Sequence, residues 1–288
     1  MFRYNPKPDR PRNESRAPSA KVPLWLATGL LAAGLTFVTA VQETRAQPVP
    51  PERFKVANIH FETNASGCDM GIQIIFDTEG IYRGSFRDPD GREIYSIQSA
   101  NGMRAIGGQT EGFLEGVEPQ ITELRDALGC EPSDEEEEIL LEDLFAAFPA
   151  GDYTLRGTRE GVVFEDQATL THFIPAGAEI LAPEEGTVVP DDAGLLIEWE
   201  PVTEAILPEL GPVNIVGYHV IVVEADGEAL PQLDVDVPAS ETTVRVPPQY
   251  LKPNTVYQLE VLATEESGNQ TISERFFCTA GVADCVEP

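Results

Sequence analysis

From about residue 54 onward the chain is a succession of short segments in which apolar and polar residues alternate, broken by Pro, Gly and Asp. That period of two is the mark of half-buried β-strands. Val56–Phe61 alternates, Ile72–Phe76 forms a second run, and DTEG at 77–80 predicts a turn. Arg83–Arg87 and Glu93–Ile97 flank DPDG at 88–91, where Pro89 presets φ and Gly91 permits a positive φ, so a hairpin is expected. One stretch breaks the β pattern. Ser133 followed by Glu136 reads as a capping box, and Leu140, Leu141, Leu144, Phe145 and Phe148 share one helical face before Pro149 and Gly151. A single helix over about 134–148 is expected there, packed on a sandwich, its acidic run 134–138 at the positive end of the dipole. Asp152–Gly157 and Ala168–Phe173 then return to strand alternation, and Ile174–Gly177 reads as a domain joint.

The second half has a sharper pattern. Leu195, Ile197 and Trp199 point one way, Tyr218, Val220 and Val222 repeat this later, and Tyr257, Leu259, Val261 and Ala263 supply a third strand. Trp199 is the expected centre of the core. Leu251, Pro253, Thr255 and Tyr257 place a Tyr just inside a strand after a Pro-containing turn, where its hydroxyl can bond back to the turn backbone as a tyrosine corner. On the strands carrying Trp199 and Tyr218, and on Leu251 to Tyr257, residues from about 179 to 279 resemble a fibronectin type III domain. That resemblance implies a seven-strand, two-sheet sandwich, and adhesion, spacing or partner binding more often than catalysis. The long TEAILPELGPVN segment before the Tyr218 strand departs from a compact domain of this kind. The first half is similar to the N-terminal region of secreted bacterial proteins that couple a β-rich domain to a fibronectin-like one, a group to which no activity is assigned. The similarity rests on Phe61–Asn64, Asp69–Gln73, Asp88–Arg92, Thr110, Glu111, Glu115, Glu118, Pro119, Phe148–Tyr153 and Thr169–His172.

The expected architecture is therefore mainly β: two sandwich (immunoglobulin-like, fibronectin type III) domains, one short helix in the first, and an N-terminal signal or anchor helix. The expected boundaries are a leader over 1–46, a linker over 47–53, a β-rich domain over 54–177, a fibronectin type III domain over 178–279 and a tail over 280–288.

Charge sets the address. Residues 1–46 carry seven Lys or Arg against three Asp or Glu, whereas 47–288 carry 12 against 46, within a net charge of −30. The uncharged run Leu24–Val41 follows the basic leader, and basic flanks stay cytoplasmic, so the remainder is expected beyond the inner membrane. Cleavage near Ala40 or Ala46 is favoured over a retained anchor, and contact with membrane is expected only through the uncleaved segment. Four cysteines, Cys68, Cys130, Cys278 and Cys285, fit an oxidising compartment with three pairings open to them. The same negative charge argues against nucleic acid as a partner.

Candidate chemistry is sparse. His60, His172 and His219 sit in strand-like runs, with solvent-facing positions expected, and no Ser lies in a GxSxG turn. Asp77 with Glu79 and Asp88 with Asp90 offer hard oxygen ligands in adjacent turns, the best calcium candidates, yet the spacing is also ordinary turn chemistry. No catalytic residue, cofactor or metal is assigned. The expectation is an extracytoplasmic, non-enzymatic binding or scaffolding protein meeting a protein or envelope polymer. A calcium-dependent adhesion module and a carboxylate-dependent glycan-active enzyme are the alternatives.

Overall fold

The computed structural model describes residues 49–132, 137–190, 192–225, 232–283 and 285–286. The expected leader with its apolar run Leu24–Val41 and the Ser133–Glu136 cap lie outside them. No helix among the described residues is long and apolar enough to cross a membrane. Val49–Pro288 form one compact unit.

In the first half, β1 (Val56–Asn64) and β2 (Asp69–Ile81) pair antiparallel from Val56↔Asp77 to Asn64↔Asp69. Asn64 Oδ1 closes their turn by accepting the N–H groups of Ser66 (2.8 Å) and Gly67 (3.1 Å). The DTEG stretch does not reverse the chain, contrary to expectation: β2 runs through it. Thr78 is buried there, its Oγ1 accepts the Gly80 N–H, and Gly80 takes a φ of 108°. The result is a bulge that bends β2 towards the second sheet, which β3 (Arg83–Arg87) enters immediately. The expected hairpin from β3 to β4 (Glu93–Gln98) is present, closed by Gly91 N–H on Asp88 O at 2.9 Å.

After the short α1 (Asn101–Ala105), β5 (Gln109–Glu115) pairs with the free side of β2. Next come β6 (Gln120–Ile121), α2 (Thr122–Leu128), β7 (Glu138–Ile139) and α3 (Leu141–Ala147). The helix expected over 134–148 is thus shorter, because Glu138 and Ile139 pair in parallel with Gln120 and Ile121. Two other short helices precede it. The first amide of α3, Leu141 N–H, is met by the Glu123 carboxylate at 2.9 Å rather than by a side chain of its own cap. Strands β8 (Gly151–Arg159) and β9 (Val162–Leu170) complete a four-stranded sheet in the order β4-β3-β8-β9. Phe61, Phe76, Phe86, Tyr153 and Phe164 fill the space between this sheet and β1-β2, with Leu124, Leu141 and Leu144 from the helices. The Cys68–Cys130 disulfide ties the β1-β2 turn to the end of α2.

The second half contains β10 (Ile180–Ala182), β11 (Thr187–Val189), β12 (Leu195–Trp199), β13 (Ile215–Glu224), β14 (Leu233–Pro238), β15 (Thr243–Val246), β16 (Val256–Glu265) and β17 (Gln270–Thr279). One sheet is β10-β12-β15 and the other is built on β14-β13-β16-β17, the seven-strand fibronectin type III arrangement, with β11 added in parallel to β17. Trp199, 1% exposed, lies between the sheets against Tyr218, ring centroids 5.3 Å apart. Tyr257 packs on Phe277, and its hydroxyl accepts the Lys252 N–H at 2.7 Å. Leu251 is buried beside it in the same core. Cys278 and Cys285 form the second disulfide.

The first half and the second have separate apolar clusters, but the sheet does not stop between them. β17 pairs in parallel with β1 over Glu62↔Gln270, Thr63↔Thr271 and Asn64↔Ile272, giving one ten-stranded sheet that runs through both halves. Three further contacts lock this seam. Asn269, fully buried, accepts the Phe61 N–H at 2.9 Å and donates to the carbonyls of Thr171 and Phe173. Thr271 Oγ1 donates to Pro175 O at 2.7 Å. The TEAILPELGPVN segment folds back, so that Ile206 and Leu207 are buried in the core of the first half.

Candidate functional site

Alternation along each strand of the long sheet sends one set of side chains into the cores and leaves the other on an outer face. At the seam that outer face is concave. Asn58, His60 and Glu62 of β1, Gln73 and Ile75 of β2, Phe113 and Glu115 of β5, Gln270 and Ile272 of β17, Glu260 and Leu262 of β16 and His219 of β13 line a hollow of about 470 Å³.

Its polar end is built around Gly71. Glu62 stands opposite Gly71 in the β1-β2 ladder, and a Cβ at Gly71 would lie 2.6 Å from Glu118 Cγ. The missing side chain therefore gives Glu118 its seat, and Glu62, Glu115 and Glu118 come within 4.8 Å of one another by one carboxylate oxygen each. Gln73 binds this group together. Its Nε2 donates to Glu62 (2.6 Å) and Glu115 (2.9 Å), while its Oε1 faces His60 Nε2 at 3.1 Å. Gln270, carried in by β17, donates to the other oxygen of Glu62.

Burial dominates the electrostatics. It pushes the Glu62 carboxyl above the ordinary range, opposed by the Gln270 and Gln73 hydrogen bonds and aided by the nearby Glu115 charge. Glu260 is pushed up to about 7 by burial, then by the charges of Glu274 and Glu62, with His219 opposing. His60 is held below its ordinary value by burial, against the Gln73 hydrogen bond. With Nε2 donating to Gln73, its Nδ1 is a lone-pair acceptor, buried and without a hydrogen-bond partner among the described residues.

The calcium candidates are not brought together. Lys55 faces Asp77 (3.6 Å) and Glu79 (3.0 Å), and Arg92 takes Asp88 (2.6 Å) and approaches Asp90 (3.8 Å), so each carboxylate is met by a cation of its own chain. Among the described residues, the acidic group whose oxygens converge is Glu62, Glu115 and Glu118. Ca²⁺ takes six to eight oxygens, and this group brings one oxygen from each of three carboxylates together. Two of the three histidines also differ from the expected solvent-facing positions, and His219 keeps to one. His60 is buried under the seam, and His172 stacks on Phe145 at 3.8 Å with Nε2 3.0 Å from Phe148 O. His219 meets Asp234 at the rim.

Sequence reasoning missed Glu62, Glu115, Glu118 and Glu260 as a group. Glu62, Gly71, Gln73, Glu115 and Glu118 do stand in the segments that carry the resemblance of the first half. What joins them to Glu260 is the β1-β17 pairing, which no local pattern announces.

No protein-family model matches the sequence, and none of the curated proteins matches it. Among solved structures, the chicken CNTN1 FN1-FN3 domains are similar at 12% identity and a TM-score of 0.28, over 80% of this chain and 65% of that one. The chain thus spans just under two thirds of that structure. A two-domain fibronectin type III segment of chicken tenascin shares 12% identity over 77% of this chain and 97% of that one, at a TM-score of 0.25. The fn3 domain of human contactin 1 shares 22% over 38% and 80%, also at 0.25. The fibronectin type III arrangement of the second half rests on the strand order and pairing given above.

Proposed function

We propose that the protein is an extracytoplasmic, non-enzymatic binding or scaffolding protein that meets a protein or envelope polymer through the outer face of its long sheet. The seam carries this reading. Because β1 and β17 share a ladder, side chains from both halves hold fixed positions on one surface, as a recognition site requires. The three histidines are occupied in packing, in a Gln73 contact or at the rim with Asp234. The basic leader, the apolar run and the two disulfides support a location beyond the inner membrane. The test is capture from an envelope fraction by the immobilised full chain, wild type against Glu62→Gln/Glu115→Gln/Glu260→Gln. A saturable partner retained by the wild type and lost by the variant is expected; recovery of the same bulk protein by both would overturn the reading.

The carboxylate-dependent enzyme is the second reading, favoured by Glu62 and Glu260, two carboxyls shifted upward in one hollow. Against it, a glycosidase sets a protonated acid across from an ionised partner, whereas here burial shifts both the same way. Phe113 is the aromatic side chain lining the hollow. Incubation of the full chain with peptidoglycan is expected to release no reducing ends. Release that disappears in Glu260→Gln would establish the enzyme instead.

A further inference from the structure

Some carboxylates of this surface are paired with a cation of the chain. Asp166 has Arg53, Glu93 has Arg87, Glu138 has Arg125, Glu165 has Arg156 and Glu224 has Lys252. The carboxylates of the seam hollow are not among them, and they are crowded together, with Glu62 and Glu260 partly buried. The lining of the hollow contains no Lys or Arg, and no Lys or Arg among the described residues pairs with Glu62, Glu115 or Glu260. The lining groups able to carry positive charge are His219, already held by Asp234, and His60, which burial keeps below its ordinary pKa. Like charges are instead crowded together: Glu62 feels Glu115, and Glu260 feels both Glu274 and Glu62. Crowded carboxylates in a partly dehydrated site are destabilising until a cation joins them.

The rest of the lining narrows the kind of cation. Leu262, Ile272 and Phe113 give the hollow an apolar floor and wall, Leu262 buried and Phe113 57% exposed. A bare metal ion makes no use of that surface. His60 adds an independent feature, a side chain 3% exposed whose Nδ1 lone pair has no donor among the described residues. The complement is an N–H-rich cation on an aliphatic stem, which is the form of a Lys or Arg side chain.

We infer that the hollow at the β1-β17 seam receives a Lys or Arg side chain of a protein partner, its charged head among Glu62, Glu115 and Glu260 and its stem along Phe113, Leu262 and Ile272. This deepens the binding reading above and rests on it.

The test is titration of fluorescent acetyl-tetralysine amide into the full chain at two salt concentrations, with melting temperatures taken on every variant. Saturable binding to the wild type is expected. Glu62→Gln/Glu260→Gln should weaken it about tenfold and Phe113→Ser about threefold, while the charge-matched exposed pair Glu209→Gln/Glu241→Gln changes it less than twofold. Equal weakening by the two charge pairs would mean diffuse attraction to an acidic body and would overturn the inference, as would no saturable binding to the wild type. If the wild type fails to bind the peptide but still captures an envelope partner that the triple Gln variant loses, this inference falls and the binding reading stands. Loss of both results sinks both.

Discussion

Glu260→Gln isolates the electrostatic cost of the seam. Glu260 lies on β16 and is faced by Glu274 of β17, Glu62 of β1 and His219 of β13; its pKa stands at about 7 against an ordinary 4.5. A carboxyl raised in the folded state binds its proton more tightly folded than unfolded. Its contribution therefore favours folding at low pH, and stability is lost as pH rises from about 4.5 through about 7. At roughly 1.36 kcal/mol per pKa unit the shift corresponds to about 3 kcal/mol. The side chain is only partly buried, and solvent screening reduces this to about 1–2 kcal/mol. Gln keeps the shape and removes the charge. Glu62, also raised, acts in the same direction as Glu260, and His60 acts in the opposite one, its lowered pKa costing stability as pH falls below about 6.5, so the wild-type profile alone mixes the three groups. The difference between variant and wild type cancels His60. Urea unfolding should give equal midpoints near pH 4.5, with Glu260→Gln ahead by about 0.5 M at pH 8 for a slope of about 2–3 kcal/mol/M. Parallel pH profiles for the two proteins, with no divergence between pH 4.5 and 8, would refute the reasoning.

Other changes probe the framework. Tyr257→Phe removes the hydroxyl that accepts the Lys252 N–H and should cost about 1–2 kcal/mol by chemical unfolding without altering the far-ultraviolet spectrum. Ile206→Ala should cost about 2–4 kcal/mol, and amide exchange should rise first around Ile174 and Ile206, whose backbones are hydrogen-bonded, because that side chain is buried in the core of the first half. The Cys68–Cys130 bond closes a separation of 62 residues, so Cys68→Ala/Cys130→Ala should lose about 4 kcal/mol, against roughly 2 for Cys278→Ala/Cys285→Ala with its separation of 7. A larger loss for the second pair would contradict the loop-entropy account.

The sequence disclosed what is local. Trp199, Tyr218 and Tyr257 each share an inward face with further apolar residues at every second position, and DPDG carries its own turn geometry, so these elements are legible. DTEG carries similar turn chemistry yet lies within β2, because the burial of Thr78 and the pairing of Asp77 with β1 and of Asp77 and Ile81 with β5 outweigh the local preference. The apolar and acidic pattern of α3 begins before the helix does, because Glu138 and Ile139 continue it although they pair with Gln120 and Ile121. The seam left no local trace. A parallel contact between Glu62 and Gln270 spans two halves of the chain, and glutamates at alternate strand positions look like any solvated face until a second set of strands is laid beside them. Each half has the apolar core of its own that the sequence implies, and what no local pattern discloses is how Ile206, Leu207, Asn269 and the β1-β17 ladder join the two.

That union can be measured directly by amide hydrogen exchange on the full chain at the β1-β17 ladder. The account predicts that amides across Glu62–Ala65 and Gln270–Ile272 are protected as strongly as those between β16 and β17 and open together with them as denaturant is added. Rapid exchange along the seam, with the two halves opening at separate denaturant concentrations, would contradict it.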